Sequence, residues 1–325
     1  MSRRALAIVP VAALVLALFA VPLPYYAEGP GPAREVEPRI HVSGDVDRYP
    51  SQGKFVMTAV SFLPVTLPKL LRAAADPAEN VISESLLIAP GETQEHADQR
   101  SLSEMDQSKI DATAWVLSQV KDYPAEHGPG VLIEAVGTGC PAEGKLFPGD
   151  LVASINGREI PDEAAFERVL TDIPASEPLT FRVTAAGETA DVRLTRQPCD
   201  PQRPNKPLVG IASLANFPFG VTISSGDIGG PSAGTMWALG LYDLLTPGDL
   251  TGGRTIAGTG TITAQGEVGP IGGVEQKIAA AKMAGAEVFL VPRANLAAAK
   301  TVAADLPLVP MDTFQDALDY LQQDA

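Results

Sequence analysis

The stretch Gly226-Asp227-Ile228-Gly229-Gly230-Pro231-Ser232-Ala233-Gly234-Thr235-Met236-Trp237 decides how the rest of the chain is read. It is a glycine-rich turn running into a helix. Pro231 suits the first helical position, where a missing N–H costs nothing. From Ala233 to Leu245 the sequence is apolar almost all round, through Met236, Trp237, Leu239, Leu241, Leu244 and Leu245. Such a helix is buried. Ser232 therefore falls at a buried helix N-terminus, where free backbone N–H groups and the dipole favour negative charge. That setting suits a nucleophile whose reaction develops an oxyanion. Serine is also common at helix starts for capping alone, so the choice between the two readings turns on a partner base.

Elimination narrows that partner. The three histidines, His41, His96 and His127, all lie upstream, and no Cys follows Cys199. A Ser-His-Asp triad within the C-terminal part is excluded by composition. Lysine remains, with Lys206, Lys277, Lys282 and Lys300 available. Lys277 differs in its setting. At helical spacing it shares a stripe with Val274, Ala281 and Ala284, beside Ile278, while Glu275 and Lys282 take the opposite face. Gly285 closes this helix. A lysine on an apolar face either snorkels or works. Burial lowers its pKa, leaving a neutral amine able to take the Ser232 proton. Lys277→Arg is then expected to inactivate while keeping the fold.

The Gly-Pro-Ser-Ala-Gly element, followed by Pro270-Ile271-Gly272-Gly273-Val274-Glu275-Gln276-Lys277, resembles the proteolytic domain of the Lon family over roughly residues 214–325. The resemblance implies a Ser-Lys dyad, with Ser232 as nucleophile and Lys277 as general base. Thr259 matches a threonine that lies beside the lysine in that family; a plain strand-end threonine is the other reading. Gly230 belongs to the serine turn. One departure stands out. Lon enzymes usually carry an acid directly before Gly-Pro-Ser, where this chain has Gly229; Asp227 is the nearest acid and caps the turn instead in our reading.

The 325 residues predict two or three domains. A net charge of −15 argues against nucleic acid as partner. Residues 1–29 read as an N-terminal membrane anchor. Arg3 and Arg4 precede 23 uncharged residues from Ala5 to Ala27, and a bilayer needs ~20. The arginines set the N-terminus inside, so the remainder lies outside the cytoplasm, at the cell membrane; a cleaved signal peptide is the alternative. Residues 30–127 form an α/β segment, opening with a Pro/Gly-rich linker at Gly29-Pro30-Gly31-Pro32. Within it Lys54–Phe62 reads as a strand, Leu67–Ala75 and Ser108–Val120 as helices, and residues 81–103 show no clear periodicity. No chemical constellation is visible there.

Residues 128–213 form a small β-rich module. The strand Val131–Val136, the Gly149-Asp150 turn, the strand Leu151–Ile155 and the Asn156-Gly157 hairpin turn resemble a PDZ domain. The usual groove strand upstream of Val131 is missing. A circular permutation would give that role to Pro207–Ile211, with Val209, Gly210 and Ile211 binding an added peptide strand; an ordinary connecting strand explains the same residues. Gly139-Cys140-Pro141-Ala142-Glu143-Gly144-Lys145 imitates a phosphate-binding loop, but Leu146 replaces the Ser/Thr that holds magnesium. Cys140 and Cys199 are either a disulfide or two separate small hydrophobes.

The expected fold class is thus α/β (α+β), a Lon-type proteolytic domain at 214–325 preceded by the PDZ module and the anchor. The resemblance implies a serine endopeptidase; unlike full Lon enzymes the sequence shows no intact Walker-type loop, so it is expected to lack the ATPase module and to work independently of ATP. It would act on unfolded or membrane-associated proteins, needs no cofactor or metal, and assembles as a homo-oligomer, hexameric by family likeness. The rival reading is a non-catalytic PDZ scaffold with a silent Lon-like domain.

Overall fold

Lys54–Pro64, Thr255–Gly258 and Val288–Pro292 are nearly continuous apolar runs, as strands covered on both faces must be. A computed structural model of the chain describes residues 19, 21–73, 80–185 and 187–323. In it these three strands form the centre of a six-stranded sheet. The order is Leu308–Met311, Val288–Pro292, Thr255–Gly258, Lys54–Pro64, Tyr25–Glu35, Asn80–Ser83. The first four run parallel and the last two pair antiparallel.

The two-residue period of the strands splits the core into two layers. Phe55, Met57, Ile256, Val288 and Leu290 face the helix that follows the candidate nucleophile, Gly234–Leu245, the long helix Gln94–Val120 and the last helix Phe314–Gln323. Val56, Ala257, Phe289 and Val291 face the lysine helix Val274–Met283 and the short helix Leu296–Val302. Met236, Trp237, Leu239 and Leu241 are fully buried, as the all-round apolar pattern predicts.

Three expectations are corrected. Residues 25–29, assigned to the anchor, and the Pro/Gly-rich linker that opens the 30–127 segment together supply a strand, Tyr25–Glu35. Its prolines are tolerated because the chain bulges between Pro30 and Ala33 and Pro32 lies where no second strand pairs. Gly31 is needed there, since a Cβ would sit 2.7 Å from the Ala59 carbonyl. The rest of the anchor assignment, apart from a few residues, lies outside the described residues. Among the described residues no helix is long and apolar enough to cross a membrane.

The separation of 30–127 from 214–325 also fails, because three strands from each side join in one sheet where Thr255–Gly258 pairs with Lys54–Pro64, and Ile40–Val42 pairs with Val221–Ile223. Finally, the long helix begins at Gln94 and not Ser108, with Thr93 capping it by accepting the His96 N–H. Its first half carries few apolar residues, so periodicity could not reveal it.

Between these pieces sits a second sheet, ordered Ile211–Asn216, Gly128–Val136, Leu151–Ile155, Leu179–Ala185, Glu188–Leu194. Helix Glu163–Asp172 covers it, burying Phe166 and Val169 against Ile133, Ile155 and Phe181. Cys140 and Cys199 are bonded, with Cα atoms 5.2 Å apart, inside the usual disulfide range. Leu146, the residue that breaks the phosphate-loop pattern, is buried in this core. The Gly139 N–H there donates to the Glu143 carboxylate at 2.8 Å, where a phosphate loop would hold an anion.

Candidate active site

The serine turn is held from both sides. Gly230 adopts φ 79°, ψ 151°, a conformation essentially closed to residues with a Cβ. Its N–H donates to the Ser101 carbonyl at 2.7 Å, and the Ser108 hydroxyl donates to the Pro231 carbonyl at 2.8 Å. Both serines come from the long helix. On the other side the Ser232 carbonyl accepts from the Gly260 N–H at 2.8 Å and from the Thr259 hydroxyl at 2.9 Å. Behind the turn, Trp237 Nε1 donates to Met105 Sδ at 3.4 Å. The residue 232 backbone is therefore fixed before any substrate arrives.

Lys277 reaches this turn from the facing layer. Its helix lies against the Tyr25–Glu35 and Lys54–Pro64 strands. The loop before it is clamped by Asn295, whose side chain accepts from the Ile271 N–H at 3.0 Å and donates to the Ile271 carbonyl at 2.9 Å. Lys277 is 3% exposed. Its Nζ lies 2.6 Å from Ser232 Oγ and 3.0 Å from Thr259 Oγ1. Since the Thr259 hydroxyl donates to the Ser232 carbonyl, its oxygen is an acceptor toward the amine. That arrangement leaves the amine lone pair for Ser232.

Burial pushes the Lys277 pKa down to about 7, and the charge of Glu28 opposes that fall. An isolated exposed lysine titrates near ~10.4. Here the neutral amine and the ammonium ion are both accessible near neutral pH, which is what a general base needs. Glu28 itself is 9% exposed, and burial holds its carboxyl above the usual range, against the lowering effect of its hydrogen bond with Asn80.

Ser232, Lys277, Thr259 and Gly230 thus come together. Asp227 sits exposed on the same cleft and makes no capping bond; the turn closes instead through Ile228 N–H to the Ser225 carbonyl. Sequence reading missed Glu28, Ser101 and Ser108. All three come from stretches placed outside the chemistry, and no local motif marks them. The cleft over the pair has a volume of about 690 Å³, with Phe62, Leu63, Ile228 and Ile271 among its walls.

In the second module, Val209 is buried in the core. The Val209 and Gly210 carbonyls are taken by the Ala142 and Gly137 N–H groups. Ile211 opens the edge strand Ile211–Asn216, which pairs with Gly128–Val136 on one side only. Its far half is tied to the segment just after the long helix through Tyr123, whose hydroxyl donates to the Ala215 carbonyl at 2.7 Å. Of the three residues singled out, only Ile211 belongs to an edge that a peptide could extend.

Residues 218–323 match the Lon protease (S16) C-terminal proteolytic domain. The chain is 38% identical over 104 residues to Lon protease 2 of Bacillus subtilis, covering 32% of this chain and 18% of that protein. It is 39% identical over 94 residues to the Lon protease of Campylobacter concisus, covering 27% and 11%. The chain thus spans less than a fifth of the length of these relatives. Among solved structures, the PDZ domain of an SdrC-like protein from Listeria innocua matches 26% of this chain and 92% of its own length, at 20% identity and TM-score 0.24. The likeness to the Lon proteolytic domain supports a serine peptidase.

Proposed function

We propose that the chain is an ATP-independent serine endopeptidase working through a Ser232–Lys277 dyad. The observation that carries this is the 2.6 Å contact between Lys277 Nζ and Ser232 Oγ inside a buried, nearly neutral lysine site. Neutral Lys277 takes the Ser232 proton as Oγ attacks a peptide carbonyl. Backbone N–H groups at the start of the nucleophile helix stabilise the oxyanion. The Lys277 ammonium then returns the proton to the leaving amine, and the neutral amine activates the water that releases the acyl group.

The chain is held to a membrane by its N-terminal apolar stretch, which must end before Leu23, whose N–H donates to the Val65 carbonyl; Ala5 to Pro22 leaves 18 uncharged residues, within the roughly 17–25 that a bilayer-spanning helix uses. The Cys140–Cys199 bond supports an oxidising, extracytoplasmic location. Substrates are unfolded or membrane-associated proteins, whose tails extend the edge strand at Ile211.

A serine-directed covalent probe tests the dyad. It is expected to label Ser232 in the full chain and to label the Lys277→Met variant far more slowly. Equal labelling of both would remove the lysine from the mechanism.

Two variants test how the base is tuned. Thr259→Val leaves the Ser232 carbonyl and the amine without their shared hydroxyl. Peptide hydrolysis should fall about 10²-fold in kcat, the scale of a misplaced catalytic group, while Thr259→Ser keeps most of it. Glu28→Gln removes a charge that raises the Lys277 pKa. Activity depends on the neutral amine and so rises with pH through that pKa. The midpoint of the kcat/KM profile should shift from near 7 to lower pH; an unmoved or raised midpoint would contradict the charge coupling.

A further inference from the structure

Exposed large apolar side chains are concentrated at one end of the six-stranded sheet. Leu63, Leu71 and Leu86 are 55%, 67% and 73% exposed, and Val21, Tyr25 and Phe62 are exposed with them. Strand pairing brings these residues to one end. Tyr26 is opposite Pro64 and Tyr25 is opposite Ser83. The Leu23 N–H donates to the Val65 carbonyl, and the Glu84 N–H to the Pro24 carbonyl. Leu71 follows on the short helix Leu67–Ala73, whose Leu70 and Ala73 join a small cluster with Ala27 and Val65. Monomeric proteins rarely leave such a cluster uncovered without a partner.

Two features identify what covers it. The chain enters this end from the apolar stretch Ala5–Pro22, so whatever holds that stretch is adjacent. The charge is also anomalous. In a protein of net charge −15, residues 55–75 contain no acid and Lys69 lies two positions before exposed Leu71; Glu84, two positions before Leu86, is the acid at this end. Apolar side chains with a lysine beside them suit the boundary between acyl chains and anionic headgroups.

We infer that this end of the protein, carrying Leu63, Leu71 and Leu86, docks onto an anionic bilayer surface beside the N-terminal segment. Phe62 and Leu63 also wall the cleft over Ser232, so docking sets the mouth of the cleft at the membrane surface. The substrates reached first are then the segments of other proteins that emerge from the same bilayer. This rests on the membrane attachment proposed above.

The test uses the full chain in vesicles containing anionic phospholipid, with Leu63→Trp, Leu71→Trp and Leu86→Trp made singly. Phe147→Trp and Met283→Trp, at exposed positions in the second module and at the end of the lysine helix, are controls. Vesicle flotation reads attachment, and quenching by lipids brominated high in the acyl chain reads contact. The three patch tryptophans should lose most of their added emission, and the controls should keep theirs. Flotation without quenching at the patch would overturn docking and leave attachment standing. Failure to float would overturn both. Patch tryptophans that are unquenched in vesicles, yet already blue-shifted in lipid-free detergent, would assign the surface to a second copy of the chain and overturn the lipid assignment.

Discussion

Lys277→Met and Ser232→Ala should each reduce peptide hydrolysis by ~10³-fold or more, the range seen when a nucleophile or its base is removed. The two losses should not add. Among the described residues the serine hydroxyl has no other base within reach, since Lys277 Nζ is the group at 2.6 Å and Thr259 is committed to the Ser232 carbonyl. A double variant measured beside the single ones checks this; a combined loss equal to the product of the two would mean independent roles. Methionine is the better probe of the lysine. Lys277→Arg looks conservative in sequence, but it would force a permanent charge into a site that is 3% exposed. Loss of activity in that variant could then come from unfolding.

Lys277→Met should also stabilise the fold at neutral and acidic pH. The lysine titrates near ~10.4 in the unfolded chain and at about 7 in the folded protein. Between those values the unfolded state binds more protons, so wild-type stability rises with pH across the window. Below pH 7 the penalty is complete. A shift of this size corresponds to about 5 kcal/mol at ~1.4 kcal/mol per unit. Loss of the hydrogen bonds to Ser232 and Thr259 offsets roughly 2 kcal/mol of it. The gain measured by denaturant unfolding should be greatest at pH 7 and below, and should shrink toward pH 10. A variant less stable than wild type at pH 6 would mean that the lysine is not buried as a neutral amine.

The Ser232–Lys277 contact was legible because both residues sit in local patterns that physics reads directly. A proline-initiated apolar helix places Ser232, and one cation on an apolar stripe marks Lys277. Absence of His and Cys after Cys199 removed the competitors. The surroundings were illegible for the opposite reason. Glu28 lies more than 200 residues before its partner, in a Gly/Pro-rich stretch without strand alternation. That stretch is a strand because its neighbours pair with it, not because of its own propensity. Ser101 lies in the polar half of a helix whose first turns carry no apolar period, so its carbonyl bond to Gly230 had no sequence signature. Ser108 begins the readable half of that helix, but the Pro231 carbonyl it meets is 123 positions away. The same long-range pairing joined residues 25–83 to 255–311 in one sheet, where composition had suggested a linker and a separate segment. In the second module the local turn signals were readable, while the burial of Val209 was not, because it depends on how Ala142 meets the preceding loop.

The measurement that bears most directly on the central claim is cleavage of a denatured protein by the full chain in lipid nanodiscs, without nucleotide, beside Ser232→Ala and Lys277→Met. Our account predicts cleavage by the parent, no dependence on added ATP, and none by either variant. Cleavage retained in folded Lys277→Met would contradict it.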